Sequence, residues 1–193
     1  MNKKYEFVED DTIEVNEITL HRIRAIISFG DVYAGDLGGY IEKEGNLNVD
    51  GDAWVGGDAW VGGNARVSGN ARVSGNAWVS GNAWVSGDAM VYGNARVSGN
   101  AWVGGDAWVG GDARVCGNAS IVWFSRVGSE NGTLTVFKTK VGALVTRGCF
   151  IGTPEEFLAK SAKVHDSKTH DEYKLLIQVA LSRLDIAPLG GKE

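Results

Sequence analysis

Between residues 45 and 122, small, polar and apolar positions recur every six residues without an insertion. The run holds thirteen blocks, from Gly45-Asn46-Leu47-Asn48-Val49-Asp50 to Gly117-Asn118-Ala119-Ser120-Ile121-Val122. Most read Gly, Asn or Asp, Ala, x, Val, small. In an extended Ala-x-Val triplet, alternate side chains point to opposite sides. Ala53, Ala59, Ala65 and Ala71 therefore face the same way as Val55, Val61, Val67 and Val73, and x faces the other. The near-constant Ala and Val suit an interior. The x position takes Trp, Arg, Met, Asn or Ser and suits an exterior. The remaining small-Gly-Asn/Asp stretch is turn chemistry, because Gly and Asn adopt positive φ at low cost and Asn or Asp bonds back to nearby backbone. Each block reads as a short strand and a corner.

Such a strand buries nothing alone and must stack on copies of itself. Three blocks make a triangular coil of eighteen residues, so the run predicts about four coils, roughly 20 Å of prism. Residues eighteen apart, Asn46, Asn64, Asn82, Asn100 and Asn118, are all Asn, whereas the other two corners mix Asn with Asp. One corner thus has its own identity, as a three-sided helix allows. The outward positions sort into three columns: Asn48, Arg66, Trp84, Trp102, Ser120; then Trp54, Arg72, Met90, Trp108; then Trp60, Trp78, Arg96, Arg114.

The flanks lack this period. In residues 1–44, Thr12–Val15 and Thr19–Ile27 are β-rich around an Asn16-Glu17 turn. This segment is expected to cover the open end of the first coil, since an uncovered end is an unpaired edge. In residues 123–193 the pattern predicts a small α+β lobe. Its strands run Ile121–Val127, Thr133–Lys138 and Ala143–Thr146. Thr153-Pro154-Glu155-Glu156 starts a helix with a hydroxyl cap, Pro at the first position and early acids. Phe157, Leu158 and Ala162 are expected on its apolar face. A second helix over about Thr169–Arg183 places Tyr173, Leu176, Ile177, Ala180 and Leu181 on one stripe. The expected class is mainly β: a parallel β-helix of about four coils with an N-terminal β cap and this lobe.

The motif Val67-Ser68-Gly69-Asn70-Ala71-Arg72, repeated through the run, resembles the hexapeptide repeat of left-handed parallel β-helix proteins. The left hand is implied by that resemblance. Crossover connections are usually right-handed, and a right-handed β-helix is the alternative from the residues alone. The stretch LHRIRAIISFGDVYAGDLGGYIEKEGNL is similar to the start of a family of bacterial and prophage hexapeptide-repeat proteins, often labelled acetyltransferases without a demonstrated reaction. TRGCFIGTPEEFLAKSAKVHDSKTHDEYKLLI resembles a terminal module found with such repeats in phage-related proteins.

Composition narrows the function. The net charge is −5, spread as −6 over residues 1–50 (eleven acids, five bases), −1 over 51–122 (five acids, four bases) and +2 over 123–193 (eight acids, ten bases). That is no basic footprint for nucleic acid. No apolar run reaches membrane-spanning length, and MNKKYEFVEDD lacks a signal-peptide core, so a cytoplasmic protein of a bacterium or phage-infected cell is expected. Cys116 and Cys149 form neither a disulfide framework nor a metal spacing. Corner Asp residues are isolated, unlike calcium ligands.

The resemblance implies an acyltransferase with a histidine base near an inter-subunit cleft. The repeat contains no histidine; His21, His165 and His170 lie in the flanks. His165-Asp166 belongs to a polar inter-helix loop, with Asp and Ser capping the next helix. Cys149, beside Phe150 and Ile151, is expected in the core. The expectation is a non-catalytic structural or binding protein without cofactor or metal. A CoA-dependent acyltransferase using His165 or His170 is the alternative.

Six of the seven Trp residues fall in the outward columns. They could form a stacking ladder, roughly 0.2–1 kcal/mol per pair. They could also form a docking surface, since Trp and Arg are enriched at interface hot spots. Trp54, Trp60, Trp78, Trp84, Trp102 and Trp108, with Arg66, Arg72, Arg96 and Arg114, are the candidate surface. The expected partners are copies of the chain in a trimer or dimer, then a host protein or a small-molecule signal.

Overall fold

The structure, a computed structural model, describes residues 3–117, 120–139 and 141–189. Eleven two-residue strands follow at six-residue intervals, from β4 (Trp54–Val55) and β5 (Trp60–Val61) to β14 (Arg114–Val115). They pair in parallel with the strand eighteen residues on, Trp60 with Trp78 and Arg96 with Arg114. Every inward Ala and Val of these strands is buried. Each fully buried Val contributes roughly 1.5–3 kcal/mol relative to exposure. The result is a parallel β-solenoid of about four turns.

The corners divide their labour differently from expectation. Positive φ is confined to Gly: Gly81 sits at φ +67, and a Cβ there would stand 2.9 Å from the Gly99 nitrogen one coil on. The Asn and Asp beside it keep negative φ and bond mainly to their vertical neighbours. Asn64 Nδ2 donates to Asn82 Oδ1 at 3.2 Å, and Asn82 Nδ2 donates to Asn100 Oδ1 at 3.0 Å. Asn76 donates to Asn94, which donates to Asp112. Donation runs toward the C-terminal coil, so an Asp, which only accepts, fits above an Asn. Asn118, the next expected member, lies outside the described residues.

The first coil departs from the eighteen-residue register. β3 (Leu37–Ile41) pairs in parallel with β5, Tyr40 against Trp60, and Leu47 bridges Val67; both spacings are twenty. The two extra residues fall between Leu47 and Trp54, which pairs with Arg72 in the regular register; a 3-10 turn at Glu44–Asn46 precedes them. Asn48 is therefore not the rung beneath Arg66, and Val49 is exposed where its block position predicted burial. Asn46 is fully buried rather than an outward corner.

This coil also solves an end problem. Throughout the solenoid each coil's carbonyls accept from the coil before, as Asn64 N to Gly81 O and Arg66 N to Ala83 O. At the first coil three side chains help replace those donors. Asn46 Nδ2 reaches Gly63 O (3.2 Å) and Ala65 O (2.8 Å); Lys4 Nζ reaches Gly51 O (3.2 Å) and Ala53 O (2.8 Å); Arg22 Nη1 reaches Gly57 O at 3.0 Å. Burial, partly offset by Asp52, pulls the Lys4 ammonium down to about 8. Burial, with Glu44 nearby, pushes the Tyr5 phenol up to about 12.

Lys4 flanks the cap hairpin, β1 (Tyr5–Val15) and β2 (Ile18–Ala25), joined by Asn16-Glu17 with both residues at positive φ. The hairpin adds antiparallel to β3 and so extends one solenoid sheet. The far end is closed by an antiparallel sheet, β15 (Ile121–Val127), β16 (Gly132–Thr139), β17 (Gly142–Arg147) and β18 (Phe150–Gly152). Phe137 of β16 is fully buried in the solenoid's own core cluster. Trp108 N donates to Thr135 Oγ1, and Thr146 Oγ1 donates to Trp108 O at 2.6 Å. Ile121, expected in the last repeat, pairs with Phe137 instead, so regular rungs stop at β14.

Helices α1 (Pro154–Val164) and α2 (Ser167–Arg183) complete the lobe. Thr153 and Glu156 form the capping box of α1, and Asp166 caps α2. The α2 stripe packs as expected, but Ala162 is exposed, and Pro154, Phe157 and Ser161 make the buried side of α1. Among the described residues no helix is long and apolar enough to cross a membrane.

Candidate functional site

Indoles on the same strand position meet three different surroundings. Trp54 and Trp60 are 7% and 8% exposed, which removes them from the expected surface. Trp54 packs edge-on to Phe29 of the cap, and Gly38 leaves room for its ring. Trp60 packs with Leu20 and Tyr40. Trp78 is half-buried beneath Arg96. Trp84, Trp102 and Trp108 are 48%, 49% and 37% exposed.

The column Arg66, Trp84, Trp102 forms the most open face. The N-terminal cap extends the sheet of Trp60 and Trp78, the C-terminal strands form a sheet of their own, and among the described residues this three-stranded sheet gains no cap strand. The two rings stack with centroids 6.0 Å apart, and Trp102 meets Trp123 edge-on at 6.1 Å. Their indole N–H groups donate to Ser68 and Ser86 at 2.9 and 3.0 Å. The polar edge of each ring is satisfied within the chain, and a large apolar area remains in water. A groove lined by Trp102, Trp123, Val179 and Arg183 continues the strip onto the lobe.

The second face, Trp54, Arg72, Met90, Trp108, is occupied at its base, where Arg72 pairs with Asp31. Desolvation lowers the Arg72 guanidinium. On this face Tyr92 lies over Gly110, where a Cβ would stand 2.2 Å from the ring.

The third face carries Trp60, Trp78, Arg96 and Arg114. Here the lobe overhangs the solenoid, leaving a cleft of about 760 Å³ between Trp78, Arg96 and Arg114 below and Thr139, Val141, Ala143, Leu144 and Thr153 above. The Arg96 guanidinium lies 4.3 Å from the Trp78 ring centroid. The sequence points to the two arginines. It gives no signal for the roof, because nothing local in β16 and β17 indicates which solenoid face they overhang.

The histidines stand elsewhere. His21 packs on Phe7, His165 on Tyr173, and His170 Nδ1 lies 3.3 Å from Ser161 Oγ. Cys149 is exposed, not buried, because it sits in the two-residue turn between paired Arg147 and Phe150. It borders a small cavity of about 220 Å³ with Lys160, His165 and Tyr173. Arg147 there donates to the Tyr173 hydroxyl at 3.2 Å. Hydrogen bonds from Thr169 hold the Asp166 carboxyl below its usual range. Among the described residues no group of three His, Cys, Asp or Glu could hold a metal ion.

A family model described as the YdcK beta-solenoid repeat matches residues 59–75, 65–81, 71–87 and 89–105. Successive windows start six or eighteen residues apart, the block and the coil of this fold. A search of curated proteins finds no match. Over its central coils, and there alone, the chain is similar to the YdcK beta-solenoid repeat.

Proposed function

We propose that this is a non-catalytic assembly and binding protein whose open Trp84–Trp102 face docks a second copy of the chain. The observation that carries this reading is the half exposure of two stacked, internally hydrogen-bonded indoles on one face of the solenoid. Contiguous exposed apolar side chains rimmed by polar groups mark interaction sites. Glu44, which pairs with Lys3, lies with Arg66 and Trp84 at one end of the strip, and Arg183 lies with Trp102 at the other. A two-fold contact with the strips antiparallel sets each Arg183 toward the other copy's Glu44.

The non-catalytic part rests on placement. Among the described residues the cleft at Arg96 and Arg114 has no histidine or cysteine in its lining, and His165 and His170 hold positions around α1 and α2 of the lobe. The test is light scattering behind size exclusion. Wild type is expected as a dimer or higher closed oligomer, and Trp84→Ala/Trp102→Ala as a monomer with unchanged circular dichroism. A monomeric wild type overturns self-docking and leaves a foreign protein as the occupant to seek. A thermal shift with acetyl-CoA that disappears in His165→Ala or His170→Ala overturns the non-catalytic reading.

A further inference from the structure

Two cations stand in register without an acid. Arg96 and Arg114 are paired residues of adjacent parallel rungs, so their side chains leave the sheet about 4.8 Å apart. Like charges at that spacing repel. Three other arginines are answered by an acid: Arg72 meets Asp31, Arg24 meets Glu6, and Arg22 meets Asp11. Among the described residues no carboxylate lies within salt-bridge distance of Arg96 or Arg114. Asp112 borders the same cleft, but its Oδ1 accepts from Asn94. Stacking on Trp78 gives Arg96 a structural role. It gives none to Arg114, the last residue of the column.

A second observation points the same way. Each outward residue's backbone N–H donates to the next coil, as Arg96 N does to Ala113 O at 2.8 Å. β14 ends its sheet, so the N–H of Arg114 faces the level where a further rung would run, and no strand pairs with it there. The strand edge at Arg114 and two guanidiniums thus stand at one wall of a cleft whose roof sets Val141, Ala143 and Leu144 beside Thr139 and Thr153.

We infer that the cleft between Arg96–Arg114 and the β16–β17 hairpin binds a small molecule with an oxyanion head and an apolar body. The head, a carboxylate or phosphate, bridges the two guanidiniums and takes the Arg114 amide. The body lies beneath Leu144 and Val141. A volume of about 760 Å³ falls in the range of small-ligand sites. With Asp112 opposing the two arginines, one anionic head matches the wall better than a polyanion. This site is separate from the open Trp84–Trp102 face and does not depend on it.

The test is calorimetric titration of the full-length protein with phenyl phosphate, benzoate and benzyl alcohol. At least one anion is expected to bind saturably and at least tenfold tighter than the alcohol, and which anion wins assigns the head. Arg96→Gln/Arg114→Gln should cost at least tenfold in that affinity with the oligomeric state unchanged. Arg114→Lys, which keeps the charge and the fold but loses the paired donors, should cost several-fold. The inference is overturned if neither anion binds better than benzyl alcohol, or if Arg114→Lys and the double Gln variant bind as wild type does.

Discussion

Three copies of Gly-Asp-Ala-Trp-Val-Gly, at residues 51–56, 57–62 and 105–110, fold into the same rung yet give their indoles different fates. Trp54 and Trp60 are buried under the N-terminal cap, whereas Trp108 keeps 37% of its surface. Trp84 and Trp102, in closely related blocks, are more open still. The repeat therefore decides that a Trp points outward. Segments tens of residues away decide whether outward means solvent. Of the covered indoles, Trp54 joins the solenoid's own core and Trp60 a smaller one with Leu20 and Tyr40, and the open ones are surface.

Truncation separates the two sets most sharply. Trp60→Ala removes a ring packed by Leu20, Tyr40 and Trp78 and should cost about 3–5 kcal/mol in urea unfolding. Trp84→Ala should stay within about 1 kcal/mol of wild type, measured where both are monomeric. Equal losses would mean that the cap does not cover Trp60 as described.

The end-closing donors give the next largest effect. Lys4 is held near 8, below its ordinary 10.4. Between those values the unfolded chain binds more protons than the folded one, so stability rises with pH across that window. The rise amounts to up to about 3 kcal/mol, and Lys4→Met should flatten it. Asn46→Ala leaves two buried carbonyls without donors and should cost about 1–3 kcal/mol by thermal unfolding. At the corner ladder, Asn82→Ala breaks two exposed amide bonds, and about 1 kcal/mol or less is expected.

The period of six was enough to place the strands, the inward Val and Ala, and the vertical partners of Arg66, Trp78 and Arg96. Helix capping at Thr153 and Asp166 was equally legible, because it is local chemistry. What escaped was set by distant contacts. The block Gly45–Asp50 looks like the others, but two extra residues between Leu47 and Trp54 lengthen its coil, and Asn46, the last residue of a 3-10 turn, is buried. Cys149 looks like core from its apolar neighbours, yet pairing of Arg147 with Phe150 puts it in a turn. The cleft's wall could be read from the Arg column. Its roof depends on Phe137 plugging the solenoid, which no short-range pattern encodes.

The difference between covered and open faces is tested most directly by placing one charge on each kind of outward position and measuring mass by sedimentation equilibrium. Trp84→Glu, on the open face, should convert the assembly to a folded monomer, while Met90→Glu, one rung away on a neighbouring face, should leave the mass unchanged. Trp84→Glu sedimenting with the wild-type oligomer would contradict the docking role of the open face.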